Sequence, residues 1–137
     1  MYERDKNRQD YREDTEMKYM LMFTATSDGQ NQWDAMPEQQ RTAEYGRINQ
    51  WFERAGARVV GGYELQPEQT ATTVRFDSGK PVVTDGPFLE AKETIAGYAI
   101  VDVEDLDEAL SLAKTWPTGG TVEVRPVIER EGAPAQG

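Results

Sequence analysis

The chain contains no cysteine and no histidine among its 137 residues. Without cysteine there is no disulfide, no thiol nucleophile and no zinc–thiolate site. Without histidine the commonest general base, the commonest transition-metal ligand and the usual switch near neutral pH are all missing. Neither a Ser-His-Asp nor a Cys-His mechanism can be assembled within this chain. Long apolar runs are also absent: none approaches the ~20 residues that span a bilayer. Basic clusters are lacking too. The 15 Lys and Arg are scattered among 25 Asp and Glu, for a net charge of -10. A duplex binder needs a basic stripe to displace counterions, so nucleic acid is not an expected partner. The same charge disfavours anionic membrane surfaces. The N-terminus is charged rather than apolar, unlike a secretory signal. The expectation is a soluble, cytoplasmic protein that calls for no metal or other cofactor.

What is present fits one domain, long enough to bury a core without disulfides or a structural metal. Residues 1–16 read as a flexible tail. Ten of the sixteen are Asp, Glu, Lys or Arg, too polar to offset the entropy of ordering. The folded unit is expected over 17–128, with 129–137 a second polar tail.

Lys18 to Thr24 carries Tyr19, Leu21 and Phe23 on one side and Met20 and Met22 on the other, the pattern of a central strand. Ser27 to Asn31, with Asp28-Gly29, reads as a loop. A helix starts near Pro37 and stops at Gly56, with Tyr45, Ile48, Phe52 and Ala55 as its buried stripe, widened by Trp51. Gly46 within it either permits close packing on the sheet or serves no purpose. Arg58 to Leu65 is a strand broken by Gly61-Gly62, a bulge or a close backbone or ligand approach. Thr70 to Phe76 and Pro81 to Thr84 form a hairpin around Asp77-Ser78-Gly79-Lys80. Ile95 to Val103 is a strand with Ile95, Ala99, Val101 and Val103 on one face. A second helix is capped by Asp105, with Glu108 completing a capping box, and is ended by Pro117 and Gly119-Gly120. Val122, Val124 and Ile128 mark the last strand.

The order is strand, helix, strand, hairpin, strand, helix, strand. Two helices cover one face of an antiparallel sheet and leave the other open, with Met20, Met22, Tyr98 and Ile100 on it. A homodimer packing sheet on sheet resolves this.

The segment Thr84-Asp85-Gly86-Pro87-Phe88 adds a family likeness. With Met17-Lys18-Tyr19-Met20-Leu21-Met22, Ala55-Gly56-Ala57, Gly61-Gly62, Leu65-Gln66-Pro67, Ala71-Thr72-Thr73-Val74-Arg75, Glu90-Ala91-Lys92-Glu93, Gly97-Tyr98, Asp105-Leu106-Asp107-Glu108-Ala109 and Val122-Glu123-Val124-Arg125-Pro126, the chain resembles the YCII-related, DGPF-domain family. The resemblance implies a ferredoxin-like α+β unit that dimerises as an α/β barrel. Some YCII-like relatives carry a His-Asp pair proposed as catalytic, and this chain has no His to match it. Many DGPF-type genes adjoin genes for extracytoplasmic-function sigma factors, which suggests a regulatory protein partner.

Asp85 is the candidate catalytic residue. In a partly dry cleft its pKa would rise and it could act as a general acid or base; on a turn it would bond nearby amides instead. Gly86 and Pro87 are turn-formers or ligand contacts. Phe88 is a core anchor or a pocket wall. Glu90, Lys92 and Glu93 hold a polar ligand or are solvated charges. Arg75 and Tyr98 are candidates to fix a small-molecule ligand. The acidic run from Asp102 to Glu108 lacks calcium-loop spacing and reads as a capped helix start. Trp51 and Trp116 belong to core or interface, and Trp33, in the expected loop, is the one best placed to face a cavity. Three readings of function stay open: a dimer that binds or transforms a small molecule near Asp85, a non-catalytic regulatory dimer, and a structural assembly unit that uses its sheet face and edges.

Overall fold

The computed structural model describes residues 17–87 and 92–130. The elements are β1 (Met17–Thr26), α1 (Ser27–Ala35), α2 (Glu38–Ala55), β2 (Val59–Glu64), β3 (Thr72–Asp77), β4 (Lys80–Asp85), β5 (Glu93–Val103), α3 (Leu106–Lys114) and β6 (Val122–Pro126). Four strands form an antiparallel sheet in the order β2-β5-β1-β6, and β3-β4 form a separate two-stranded sheet. This is an α+β, ferredoxin-like arrangement, and the described strands close no barrel.

The alternation in β1 sets the two faces. Tyr19, Leu21 and Phe23 lie buried beside Ala99, Val101 and Val103 of β5. Helices α2 and α3 seal this side with Trp51, Ala55, Ala109 and Leu112. The Trp51 indole N–H donates to the Leu112 carbonyl at 2.9 Å, tying one helix to the other. Phe23 stacks on Trp116 at 3.8 Å, and Trp51 meets both rings edge-on.

Several elements depart from expectation. The Ser27–Asn31 loop is helical, because Thr26 caps α1 by accepting from the Gly29 amide at 2.9 Å. That cap outweighs the helix cost of one glycine. The buried seam of α2 runs through Trp51 and Ala55, whereas Tyr45 and Phe52 are 41 % and 36 % exposed. They flank the seam: Tyr45 turns toward Trp33, and Phe52 packs edge-on against Trp51. Ile95 is also outward, because Phe23 pairs with Gly97 while Thr24 pairs with Ile95. The extra residue, Ala96, is a bulge that changes which side chains face the core. Ile128 lies beyond β6 and is half exposed. Gly46 has open space where a Cβ would stand, so close packing does not require it.

Other readings hold. Pro37 is the N-cap of α2 and Gly56 its C-cap, at φ 61°. Asp105 accepts from the Glu108 amide at 2.9 Å, and Glu108 reaches back to the Glu104 amide at 2.8 Å, one residue before the usual box partner. The glycine pair sits at an irregularity between Val59 and Gly61. Gly62, at φ 144°, lies so close to β5 that a Cβ would stand 2.4 Å from the Tyr98 carbonyl oxygen.

Two outcomes follow from this packing. Trp51→Ala removes a buried ring and its hydrogen bond, and chemical denaturation should show a loss of about 3–5 kcal/mol. Gly62→Ala must push β2 away from β5 and adopt a disfavoured φ, so a loss of roughly 1–3 kcal/mol is expected by the same measurement.

Candidate functional site

The hairpin that carries Asp85 turns through Ser78 and Gly79, both at positive φ (50° and 82°), which suits the right-handed twist of paired strands. The register pairs Thr72 with Asp85, Val74 with Val83 and Phe76 with Pro81 on one face. Arg75 pairs with Val82 on the other. Asp85 and Arg75 therefore point to opposite sides of the hairpin. At its root the Gly86 amide donates to the Ala71 carbonyl at 2.7 Å, and the Thr73 hydroxyl donates to the Gly86 carbonyl at 2.7 Å. Gly86 itself sits at φ 95°. These two bonds lock the Asp-Gly-Pro corner onto the start of β3.

The Asp85 side chain is exposed and bonds to no other described side chain or amide. Pro87 is half-buried and Lys92 is exposed. Phe88 and Glu90 lie outside the described residues. Tyr98 stands on the open face of the main sheet, half-buried, with its ring 6.3 Å from that of Tyr63. Met20 and Ile100 are paired beside it, and Met22 pairs with Tyr98 itself. Asp85 and Arg75 thus lie on opposite faces of the hairpin, and Tyr98 belongs to the other sheet.

A shallow cavity of about 360 Å³ lies elsewhere, between α3 and β6, lined by Leu110, Ala113, Trp116, Val122, Val124 and neighbouring residues. It is on the helix side of the sheet and shares no residue with the candidate site.

Sequence reasoning missed a cluster around Tyr45. Trp33, in α1 rather than in a loop, packs edge-on against Tyr45 at 5.1 Å between ring centres. The Tyr45 hydroxyl donates to Glu64 Oε1 at 3.4 Å. Arg41 reaches the carbonyls of Trp33 and Asp34. Burial, then the charge and hydrogen bond of Glu64, raise the Tyr45 pKa above 10.0, with Arg41 opposing. No local motif announces this cluster, since its members come together only when α1, α2 and β2 pack. On the open sheet face, Asp102 Oδ1 is shielded and has no hydrogen-bond partner. Its cross-strand neighbour Lys18 pairs instead with Glu129 at 2.5 Å.

The YCII-related domain family matches residues 17–131, and the chain belongs to that family. Among curated relatives, an uncharacterized protein of Rhizobium meliloti (strain 1021) is 42 % identical over 67 residues. The match covers 46 % of this chain and 54 % of the relative, so the chain spans about half the length of the curated relative it matches. No described helix is long and apolar enough to cross a membrane.

The Tyr45 cluster has a measurable signature. A raised pKa means that folding favours the neutral phenol. Its stabilising share is intact below pH 10.0 and is lost as pH rises through the folded value. Glu64→Gln should lower that pKa toward the ordinary value, read as the phenolate absorbance step that Tyr45→Phe removes.

Proposed function

We propose that this YCII-related domain works as a cytoplasmic homodimer that binds or transforms a small molecule in a cleft near Asp85. One observation carries the reading. Among the described residues, the core side chains of α2 and α3 lie on one face of the four-stranded sheet, and the other face carries Met20, Tyr98 and Ile100, half-buried, with Met22 buried beside them. A sheet whose second apolar face carries no described helix is completed by a second layer. A second copy supplies it and encloses a space between the two chains. Asp85 then serves as the proton-transfer group. Gly86, Pro87, Phe88, Glu90, Lys92, Tyr98 and Arg75 shape or contact the ligand.

A second reading, a regulatory dimer that binds a basic protein partner, is favoured by the net charge of -10. Salt separates the two. Association with a basic partner weakens as salt screens the attraction, whereas contact between two equally acidic copies is helped by screening.

The test is a thermal-shift screen of small metabolites on wild type and Asp85→Asn, with sedimentation to read oligomeric state. Asp85 is exposed, so the variant should fold with stability within about 0.5 kcal/mol of wild type. The expected result is a dimer whose melting temperature rises with a ligand in wild type alone. Equal responses in both proteins would remove Asp85 from the site, and a monomer at micromolar concentration would remove the dimer.

A further inference from the structure

Trp33 and Tyr45 form a corner that the Asp85 site does not use. Trp33 is on α1, Tyr45 on α2 and Glu64 on β2, so three elements meet there. Register fixes the side. Glu64 pairs with Gly97, which pairs in turn with Phe23 of the core face, whereas Tyr63 pairs with Tyr98 of the open face. Glu64 is therefore on the helix side of the sheet. There the Tyr45 hydroxyl donates to its Oε1 at 3.4 Å.

The corner has two aromatic walls. The ring planes stand at 87° with their centres 5.1 Å apart. One ring spends its positive edge on the face of the other, which leaves an angle between two electron-rich faces beside the contact. Tyr45 is 41 % exposed and Trp33 is half-buried, so both rings keep surface open to solvent. A cation seated in the angle lies within the ~6 Å of both ring centres at which an aromatic quadrupole attracts it. Glu64 is exposed, and its bond to the phenol holds a carboxylate beside the rings. Burial, then Glu64, keep that phenol neutral past pH 10.0, so the wall and its hydrogen bond persist across the physiological range.

We propose that this corner binds a small organic cation through a methylated ammonium group, with Trp33 and Tyr45 as walls and Glu64 as counter-charge. The ligand class follows from what the corner offers. Two aromatic faces and one carboxylate match a cation whose charge is spread under apolar methyl groups. A bare metal ion takes several oxygen ligands, and among the described residues no group of three or more Asp or Glu could hold one. An anion is disfavoured by the net charge of -10, which instead concentrates cations at the surface. One cation already stands nearby. Arg41 opposes the rise in the Tyr45 pKa, but its Nη1 faces the Trp33 and Asp34 carbonyls at 3.4 and 3.3 Å. Those carbonyls end α1, where the helix dipole offsets a positive charge. Arg41 is thus tied to α1, while Glu64 makes no ion pair among the described residues. The corner needs neither Asp85 nor a second copy, so it stands or falls separately from the function proposed above.

Isothermal titration of the whole chain tests the site with two probes, choline and its uncharged isostere, in which carbon replaces nitrogen. Choline should bind about tenfold or more tightly than the isostere. Trp33→Leu and Tyr45→Leu should each weaken choline roughly threefold to tenfold, with unchanged circular dichroism spectra, while Tyr45→Phe keeps the wall and most of the affinity. Choline binding should also weaken with added salt in wild type, and much less so in Glu64→Gln. No choline binding, equal binding of the two probes, or choline binding that both Leu variants leave unmoved overturns the assignment. If a Leu variant fails to fold, Glu64→Gln decides, because its position is exposed. Affinity and salt dependence identical to wild type would then remove the counter-charge and the site with it.

Discussion

The hydrogen bond from the Trp51 indole to the Leu112 carbonyl is the contact on which the rest of this domain depends. It lies where α2, α3 and the sheet converge, and it joins two helices that share no stretch of sequence. The indole is 1 % exposed and edge-on to Phe23, Phe52 and Trp116, so its N–H has no recourse to water. A buried donor must be satisfied, and one specific carbonyl satisfies it. That fixes the position of α3 relative to α2, and both helices in turn fix which face of β1 and β5 is dry. Which face is left to Met20, Met22, Tyr98 and Ile100 follows from this choice.

Much of the scaffold was legible from residue order. The period-two pattern of Tyr19, Leu21 and Phe23, the Asp105 cap, the Pro37 and Gly56 limits of α2 and the Ser78-Gly79 turn are local signals, and local signals survive folding. The misreadings came from positions where a single extra residue or cap decides the outcome. Ala96 bulges and turns Ile95 outward, and nothing in Ile95 itself announces that. Thr26 accepts an amide and turns Asp28-Gly29 from a loop into a helix start. In α2 the spacing allowed several stripes, and only the direction in which the helix crosses the sheet chose the one through Trp51.

The candidate site was less legible than the fold, for a physical reason. The sequence reading sets Asp85, Arg75 and Tyr98 around one cavity of a dimer, but strand alternation sends Asp85 and Arg75 to opposite faces, and Tyr98 belongs to another sheet. Alternation is readable from sequence; the separation of the hairpin from the main sheet is not. The Tyr45 cluster shows the converse. Trp33, Arg41, Tyr45 and Glu64 are unremarkable one by one and acquire a shared electrostatic character only through packing.

The strand order β2-β5-β1-β6 also governs how such a chain must be made. β1 is the first described strand to leave a ribosome, yet both of its neighbours come late, and the Thr24–Thr121 contact closes a separation of 97 residues. The β3–β4 hairpin, whose partners are adjacent, can form within microseconds of emerging. The apolar strand β1 therefore waits unpaired while most of the molecule is synthesised. For that interval its solubility rests on its charged surroundings and on whatever shelters nascent chains in the cell.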